Sequence, residues 1–140
     1  MTGQYQHNID AKGRLFIPAK LREELGDTFY VTISMTDRCL TVYSDAGWQK
    51  LTEKFDSLPY TEARKAARLI FANAAKCEPD AQGRILLPQK LRDYAGLKKD
   101  VVVAGVSTRA EIWDAEKWTA LENAGMESND LLSIAQALGI

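Results

Sequence analysis

The stretch Asp10-Ala-Lys12-Gly13-Arg14-Leu-Phe-Ile-Pro18-Ala-Lys20-Leu21-Arg22 decides how the chain is read, because it occurs twice. Its second copy is Asp80-Ala-Gln82-Gly83-Arg84-Ile-Leu-Leu-Pro88-Gln-Lys90-Leu91-Arg92, displaced by 70 positions without an insertion. The same offset carries Gly26 to Gly96, Tyr43 to Trp113, Trp48 to Trp118 and Leu51 to Leu121. A single Asp-x-x-Gly-Arg says little, but a gapless duplication with shared punctuation makes the chain two copies of one supersecondary unit.

Each copy has a legible plan. Gln4 to Ile9 can open as a strand, and Asp10 to Gly13 reads as a turn, since Asp supplies a side-chain acceptor and Gly a positive φ. Arg14 to Ile17 continues as a strand, and Pro18 ends it and launches a helix at no cost in lost donors. The helix Ala19 to Leu25 sets Leu21 and Leu25 one turn apart, and Gly26 stops it. Thr28 to Met35 and Cys39 to Tyr43 are strand-like, joined by a polar turn at Thr36 to Arg38. Ser44 or Asp45 can then cap a helix bearing Trp48, Leu51, Thr52 and Phe55 on one face.

Copy two repeats this order: strand, turn and strand around Asp80 to Leu87, then a helix over Gln89 to Tyr94 stopped by Gly96. Strands at Asp100 to Val106 and Ala110 to Trp113 follow, and Asp114 is placed to cap a helix carrying Trp118 and Leu121. Between the copies, Pro59 is expected to open a helix through about Ala74. After them, Ser128-Asn129-Asp130 is expected to cap a last helix with Leu131, Ile134, Ala135 and Leu138. That last helix is expected to dock on its own core or on a neighbouring subunit.

The expected organisation is a first repeat over 1–57, a basic connecting helix over 58–76, a second repeat over 77–127 and a C-terminal helix over 128–140. Neither repeat can bury its mixture of short strands and small helix alone. The class is therefore α+β, with the copies intertwined into one small β-barrel and helices packed outside.

Composition is that of an ordinary globular protein, 46% hydrophobic and 26% charged. No apolar run approaches a membrane span and the N-terminus has no signal-peptide pattern, so a cytoplasmic location is expected. Cys39 and Cys77 lack the spacing of a metal or redox site and read as buried or half-buried free thiols; His7 has no metal-ligand partners nearby. The net charge of −1 hides a segregated distribution. Residues 61–76 carry Arg64, Lys65, Arg68 and Lys76 against Glu62, whereas the stretch from Ala110 onward carries six acids against Lys117 alone. Lys12, Arg14, Lys20, Arg22, Arg84, Lys90 and Arg92 all fall inside the repeated motif, and a local basic face can bind phosphate on a neutral protein.

Within the motif, Asp10, Gly13, Pro18, Asp80, Gly83 and Pro88 are read as building the turn and starting the helix. The seven bases are read as a paired DNA-binding surface. A turn needs no cations, and arginine can address guanine edges bidentately while lysine neutralises phosphate. An enzyme is the first alternative, since Asp10 and Asp80 could meet and share a proton. Yet the sequence offers no nucleophile, histidine base, metal-ligand set or Gly-rich phosphate loop to accompany them. No catalysis, cofactor, metal or small-molecule substrate is expected. A protein-interaction module is the second alternative, supported by the acidic amphipathic C-terminal segment. Trp48, Trp113, Trp118, Tyr43 and Phe55 are assigned to the core rather than to base stacking.

The doubled Asp-x-x-Gly-Arg-hydrophobic-x-hydrophobic-Pro-x-x-Leu-Arg pattern resembles the MraZ family of bacterial regulators, built from two AbrB-like swapped-hairpin motifs. The resemblance spans nearly the whole chain. It implies a DNA-binding transcription factor that recognises direct repeats upstream of its own division and cell-wall gene cluster, typically as a repressor. It further implies a ring-like homo-oligomer, a cytoplasmic, nucleoid-associated location, and the family signature at Asp10 and Arg14 and at Asp80 and Arg84. Gln82 stands where copy one has Lys12, which makes the second turn less basic. The same resemblance leaves an antitoxin-type interaction module as the alternative function.

Overall fold

A computed structural model of the chain describes residues 1–59 and 61–140. Copy one contributes β1 (Gln4–Asn8), β2 (Arg14–Phe16), α1 (Ala19–Leu25), β3 (Phe29–Ile33), β4 (Leu40–Ser44) and α2 (Asp45–Asp56). The connector forms α3 (Thr61–Ala72). Copy two contributes β5 (Ala75–Cys77), β6 (Arg84–Leu86), α4 (Gln89–Ala95), β7 (Asp100–Val106), β8 (Arg109–Asp114) and α5 (Ala115–Glu127), and α6 (Asp130–Leu138) closes the described chain. Every element anticipated from the sequence is present to within a few residues. The helix expected from Pro59 runs from Thr61, and Tyr60 lies outside the described residues.

The copies exchange strands throughout. A six-stranded antiparallel sheet runs β1-β7-β8-β4-β3-β5, so β1 of copy one pairs with β7 and β5 of copy two pairs with β3. The halves join where Leu40 faces Ile112 and Val42 faces Ala110. A separate ribbon pairs β2 with β6 in the register Arg14 to Leu86, Leu15 to Ile85 and Phe16 to Arg84. The two copies are thus intertwined along one six-stranded ladder running from β1 to β5, and the ribbon lies across the same core.

That core follows from strand periodicity. Phe29 and Val31, Leu40 and Val42, Val101 and Val103, and Ala110 and Ile112 alternate onto one face of the sheet. Leu15 and Ile85 from the ribbon, Leu21 and Leu25 from α1, and Leu91 and Ala95 from α4 join them in one cluster. Burying each large aliphatic side chain there contributes about 1.5–3 kcal/mol. The opposite face is covered by α2, α3 and α5 through aromatic contacts. Trp48 stacks on Tyr30 with ring centroids 4.7 Å apart and meets Phe71 edge-on, while Trp113 packs on Trp118. A cluster of five rings and a separate tryptophan pair thus place Trp48, Tyr43, Phe55, Trp113 and Trp118 in packing roles.

Polar groups inside are paired. Glu111 accepts from Arg109 and from Trp113 Nε1, each at 3.1 Å, and Thr32 Oγ1 donates to Ile70 O at 2.6 Å to anchor α3 on β3. Cys39 and Cys77 are buried free thiols. Burial pushes Cys39 up to about 12, helped by the Glu111 charge, and Cys77 up to about 11.

At the helix starts one expected cap forms and another does not. Ser44 does cap α2, accepting from Gly47 N at 3.1 Å. Asp114 does not cap α5: its carboxylate instead accepts from Lys98 N at 3.2 Å, tying the α4–β7 loop to β8. At α6 the N-cap position is Asn129, whose side chain makes no capping bond, and Ser128 Oγ just before it accepts from Asp130 N at 3.3 Å. Nor does α6 dock on its own core. Leu131, Ile134 and Leu138 are each more than half exposed, at 66%, 59% and 68%.

Candidate nucleic-acid interface

The two repeated turns are built from the same bonds. Asp10 Oδ1 accepts from the backbone N–H of Lys12 and of Arg14, both at 2.9 Å, and Gly13 N donates to Asp10 O at 3.0 Å. Asp80 does the same with Gln82 and Arg84, again at 2.9 Å. Gly13 and Gly83 both sit at φ +82, a conformation that side chains disfavour. The second carboxylate oxygen of each Asp then receives its own arginine: Arg14 Nε at 2.7 Å on Asp10 Oδ2, and Arg84 Nε at 3.0 Å on Asp80 Oδ2. Backbone donation from Arg14 holds the Asp10 carboxyl below the usual carboxylate range, with the Arg14 side chain adding to it. The Asp80 carboxyl is lowered in the same way, first by the Arg84 N–H.

Ribbon pairing brings the turns together. In the antiparallel register, Leu15 and Ile85 point to the core, so Arg14, Phe16, Arg84 and Leu86 share the outward face. Arg84 Nη1 reaches to 3.9 Å from Asp10 Oδ2, linking the turn of one copy to the arginine of the other. Using Nε to hold each arginine leaves the two Nη nitrogens of Arg14 without a hydrogen-bond partner among the described residues. The guanidinium is thereby aimed without being consumed.

The other bases divide in two. Lys12, Lys20 and Lys90 are exposed. Arg22 and Arg92 are half-buried and turned inward: Arg22 Nε donates to Ile17 O at 2.8 Å and Arg92 Nε to Leu87 O at 3.0 Å. Each lies against the turn of the opposite copy, because a Cβ on Gly83 would meet Arg22 Cζ at 3.0 Å and one on Gly13 would meet Arg92 Nη2 at 3.0 Å. Ile17 N donates to Gly83 O and Leu87 N to Gly13 O, both at 2.9 Å, completing a reciprocal brace. Pro18 and Pro88 occupy the positions preceding α1 and α4.

Two residues join the surface without having been singled out in the sequence. Leu86 is 60% exposed on the ribbon's outer face, where its counterpart Phe16 packs against His7, ring to ring at 5.0 Å, and under Arg22. Lys99 is drawn to the start of the first turn by the bond from Ile9 N to Lys99 O at 2.8 Å. A repeat alignment conceals both, since one looks like a core aliphatic and the other lies outside the motif. No group of three or more His, Cys, Asp or Glu residues forms a metal cluster among the described residues, and no helix there is long and apolar enough to cross a membrane.

A two-repeat α+β body carrying a paired basic ribbon has close relatives among transcription regulators. A family model described as "MraZ protein, putative antitoxin-like" matches residues 1–69 and again 70–135. A protein named transcriptional regulator MraZ from Acetivibrio thermocellus is 49% identical over 99% of this chain and 96% of its own length. Proteins of the same name from Carboxydothermus hydrogenoformans and Desulforamulus reducens are each 54% identical over 83% of this chain and 82% of theirs. The class so defined is a transcriptional regulator, not an enzyme. The chain belongs to the MraZ family.

Proposed function

We propose that this regulator binds double-stranded DNA sequence-specifically, through the outward face of the β2–β6 ribbon and its two flanking turns. The observation that carries the reading is the pairing of Arg14 and Arg84 on one ribbon face, each aimed by its own aspartate. A two-stranded ribbon fits the major groove, and an arginine with free terminal nitrogens can engage a guanine edge in a bidentate pair. Lys12, Lys20 and Lys90 neutralise nearby phosphates, while Arg22 and Arg92 act largely by bracing the turns from behind. Lys12 against Gln82 makes the first turn the stronger anion binder.

In this reading, 1–57 and 77–127 are the DNA-facing repeats, 58–76 is the connecting helix, and 128–140 is the C-terminal helix. In line with the family resemblance, the target is a set of direct repeats in the promoter of its own division and cell-wall gene cluster. The effect there is repression, and the protein is cytoplasmic and nucleoid-associated. One chain offers two reading turns, which gives weak and salt-sensitive binding; a ring-like homo-oligomer engages several repeats at once and gains through effective concentration.

The test is a gel-shift titration on the DNA upstream of the protein's own gene, at two salt concentrations, with wild type, Arg14→Ala and Arg84→Ala. Losing one bidentate contact costs about 1–3 kcal/mol of specific binding, or roughly fivefold to over a hundredfold. A loss confined to specific DNA assigns base readout, and a uniform loss with a shallower salt slope assigns phosphate contact. Unchanged affinity in both variants overturns the interface.

A second reading, an antitoxin-type protein-interaction module, draws on the family description and on the exposed apolar side chains of α6. Stoichiometric co-purification of a different protein together with absent DNA affinity selects it.

A further inference from the structure

The outward face of the β2–β6 ribbon carries one arginine and one apolar residue on each strand. Antiparallel register sets Arg14 opposite Leu86 and Phe16 opposite Arg84. Three of these side chains are engaged within the molecule. Arg14 and Arg84 are tied to their aspartates, and Phe16 packs on the His7 ring at 5.0 Å with the Arg22 guanidinium 5.6 Å above it. Leu86 answers Phe16 at the 70-residue offset, yet it is 60% exposed. The ring that Phe16 packs on has no equivalent there, because the residue answering His7 is Cys77, buried in the core.

A lone exposed leucine is ordinary on a protein surface. Position makes this one informative. It lies on the same face as two aimed guanidiniums, and the proposed entry of the ribbon into the major groove carries it there with them. An aliphatic side chain in that groove needs an apolar patch. Among the major-groove base edges only thymine supplies one, its 5-methyl group. Against the other edges, Leu86 would strip water from donors and acceptors and give no hydrogen bond in return. Directly opposed Cβ atoms in an antiparallel pair are about 5 Å apart, and successive bases on a strand are about 3.4 Å apart. The side chain is thereby confined to the neighbourhood of the base pair that Arg14 addresses.

We infer that Leu86 is a specificity-determining residue of the interface, packing on the 5-methyl group of a thymine within about two base pairs of the guanine engaged by Arg14. Resting on the proposed ribbon interface, this role names the base chemistry which that interface selects. It also gives the ribbon a direction. Matching side chains at the two apolar positions would let the pseudo-symmetric ribbon lie either way along the groove. With Phe16 held against β1 and Leu86 free, one half demands a thymine and the other does not.

The test uses the full chain and the DNA upstream of its own gene, prepared with uracil scattered in place of thymine. Uracil lacks only the 5-methyl group, so base pairing and the polar edges are unchanged. Gel-shifted and free fractions, cleaved at uracil, show at which thymines the methyl matters. Deoxyuridine placed singly at those positions then gives dissociation constants for wild type, Leu86→Ala and Phe16→Ala. Wild type is expected to weaken about fourfold at a thymine beside the Arg14 contact, the contribution of one buried methyl-sized group. Leu86→Ala is expected to bind thymine DNA about fourfold or more weakly and to show no preference for thymine over uracil at that position. Its melting temperature and salt slope should match wild type, since the side chain is exposed and uncharged. Phe16→Ala is expected to keep the thymine preference.

A flat uracil scan overturns the assignment, as does a thymine preference that survives Leu86→Ala. A preference lost in Phe16→Ala and kept in Leu86→Ala moves the contact to the other strand and overturns it too. So does a lower mass of Leu86→Ala in light scattering, which places the side chain between copies of the chain. The DNA-binding reading fails separately. Wild type without affinity for the promoter DNA sinks that reading, whereas wild type that binds, and weakens with Arg14→Ala, but shows no methyl dependence sinks the role of Leu86 alone.

Discussion

At the scale of single residues, the repeated turn is a small electrostatic device. One carboxylate holds two backbone N–H groups and one guanidinium, so the aspartate shapes the loop and aims the arginine at once. Gly83→Ala tests the backbone requirement. It forces a side chain into φ +82 against Arg22 and Phe16, and a cost of about 1–2 kcal/mol is expected in urea unfolding. Acid tests the carboxylates. Both fold with pKa values below the ordinary 3.8, so their contribution is complete above that value. As pH falls below it, the unfolded chain takes up protons first and the stabilisation drains away through the folded pKa values. Asp10→Asn/Asp80→Asn should therefore flatten the acid limb of a stability–pH curve measured below pH 4, and an unaltered limb refutes the role.

Elements gain their stability from the other copy rather than from themselves. The strands β2 and β6 have three residues each and survive as a ribbon because Leu15 and Ile85 enter a shared core and helix arginines brace the turns from across the pair. Leu15→Ala removes a side chain with no exposure and should cost about 2–5 kcal/mol in denaturant unfolding. Arg22→Ala should perturb the amide resonances of Gly83, in the opposite repeat, more than those of its own turn; shifts confined to residues 10–14 would contradict the brace.

For the whole molecule, intertwining predicts strong cooperativity. With β1 on β7, β5 on β3, β4 on β8 and β2 on β6, every sheet connection beyond the two hairpins crosses between copies. A fragment of residues 1–72 should lack cooperative thermal unfolding by circular dichroism, and mixing it with 73–140 should restore it. A fragment that melts cooperatively alone would show that the copies are separable.

The sequence by itself determined the duplication, the order of elements, the turn chemistry and the assignment of the aromatic residues to packing. These are local matters: strand alternation, proline and glycine punctuation, and helical spacing act over a few residues and are written in neighbouring letters. Only the tertiary structure decided which turn faces which, because ribbon register arises from pairing across 70 residues of chain. It separated Arg14 and Arg84, aimed outward, from Arg22 and Arg92, folded against the opposite turn, although all four are arginines of one motif. It also left α6 uncovered, since whether an apolar stripe finds a partner depends on where the rest of the sheet lies. The doubled turn was legible as chemistry in the sequence, and its doubling became a single surface through the long-range pairing of two short strands.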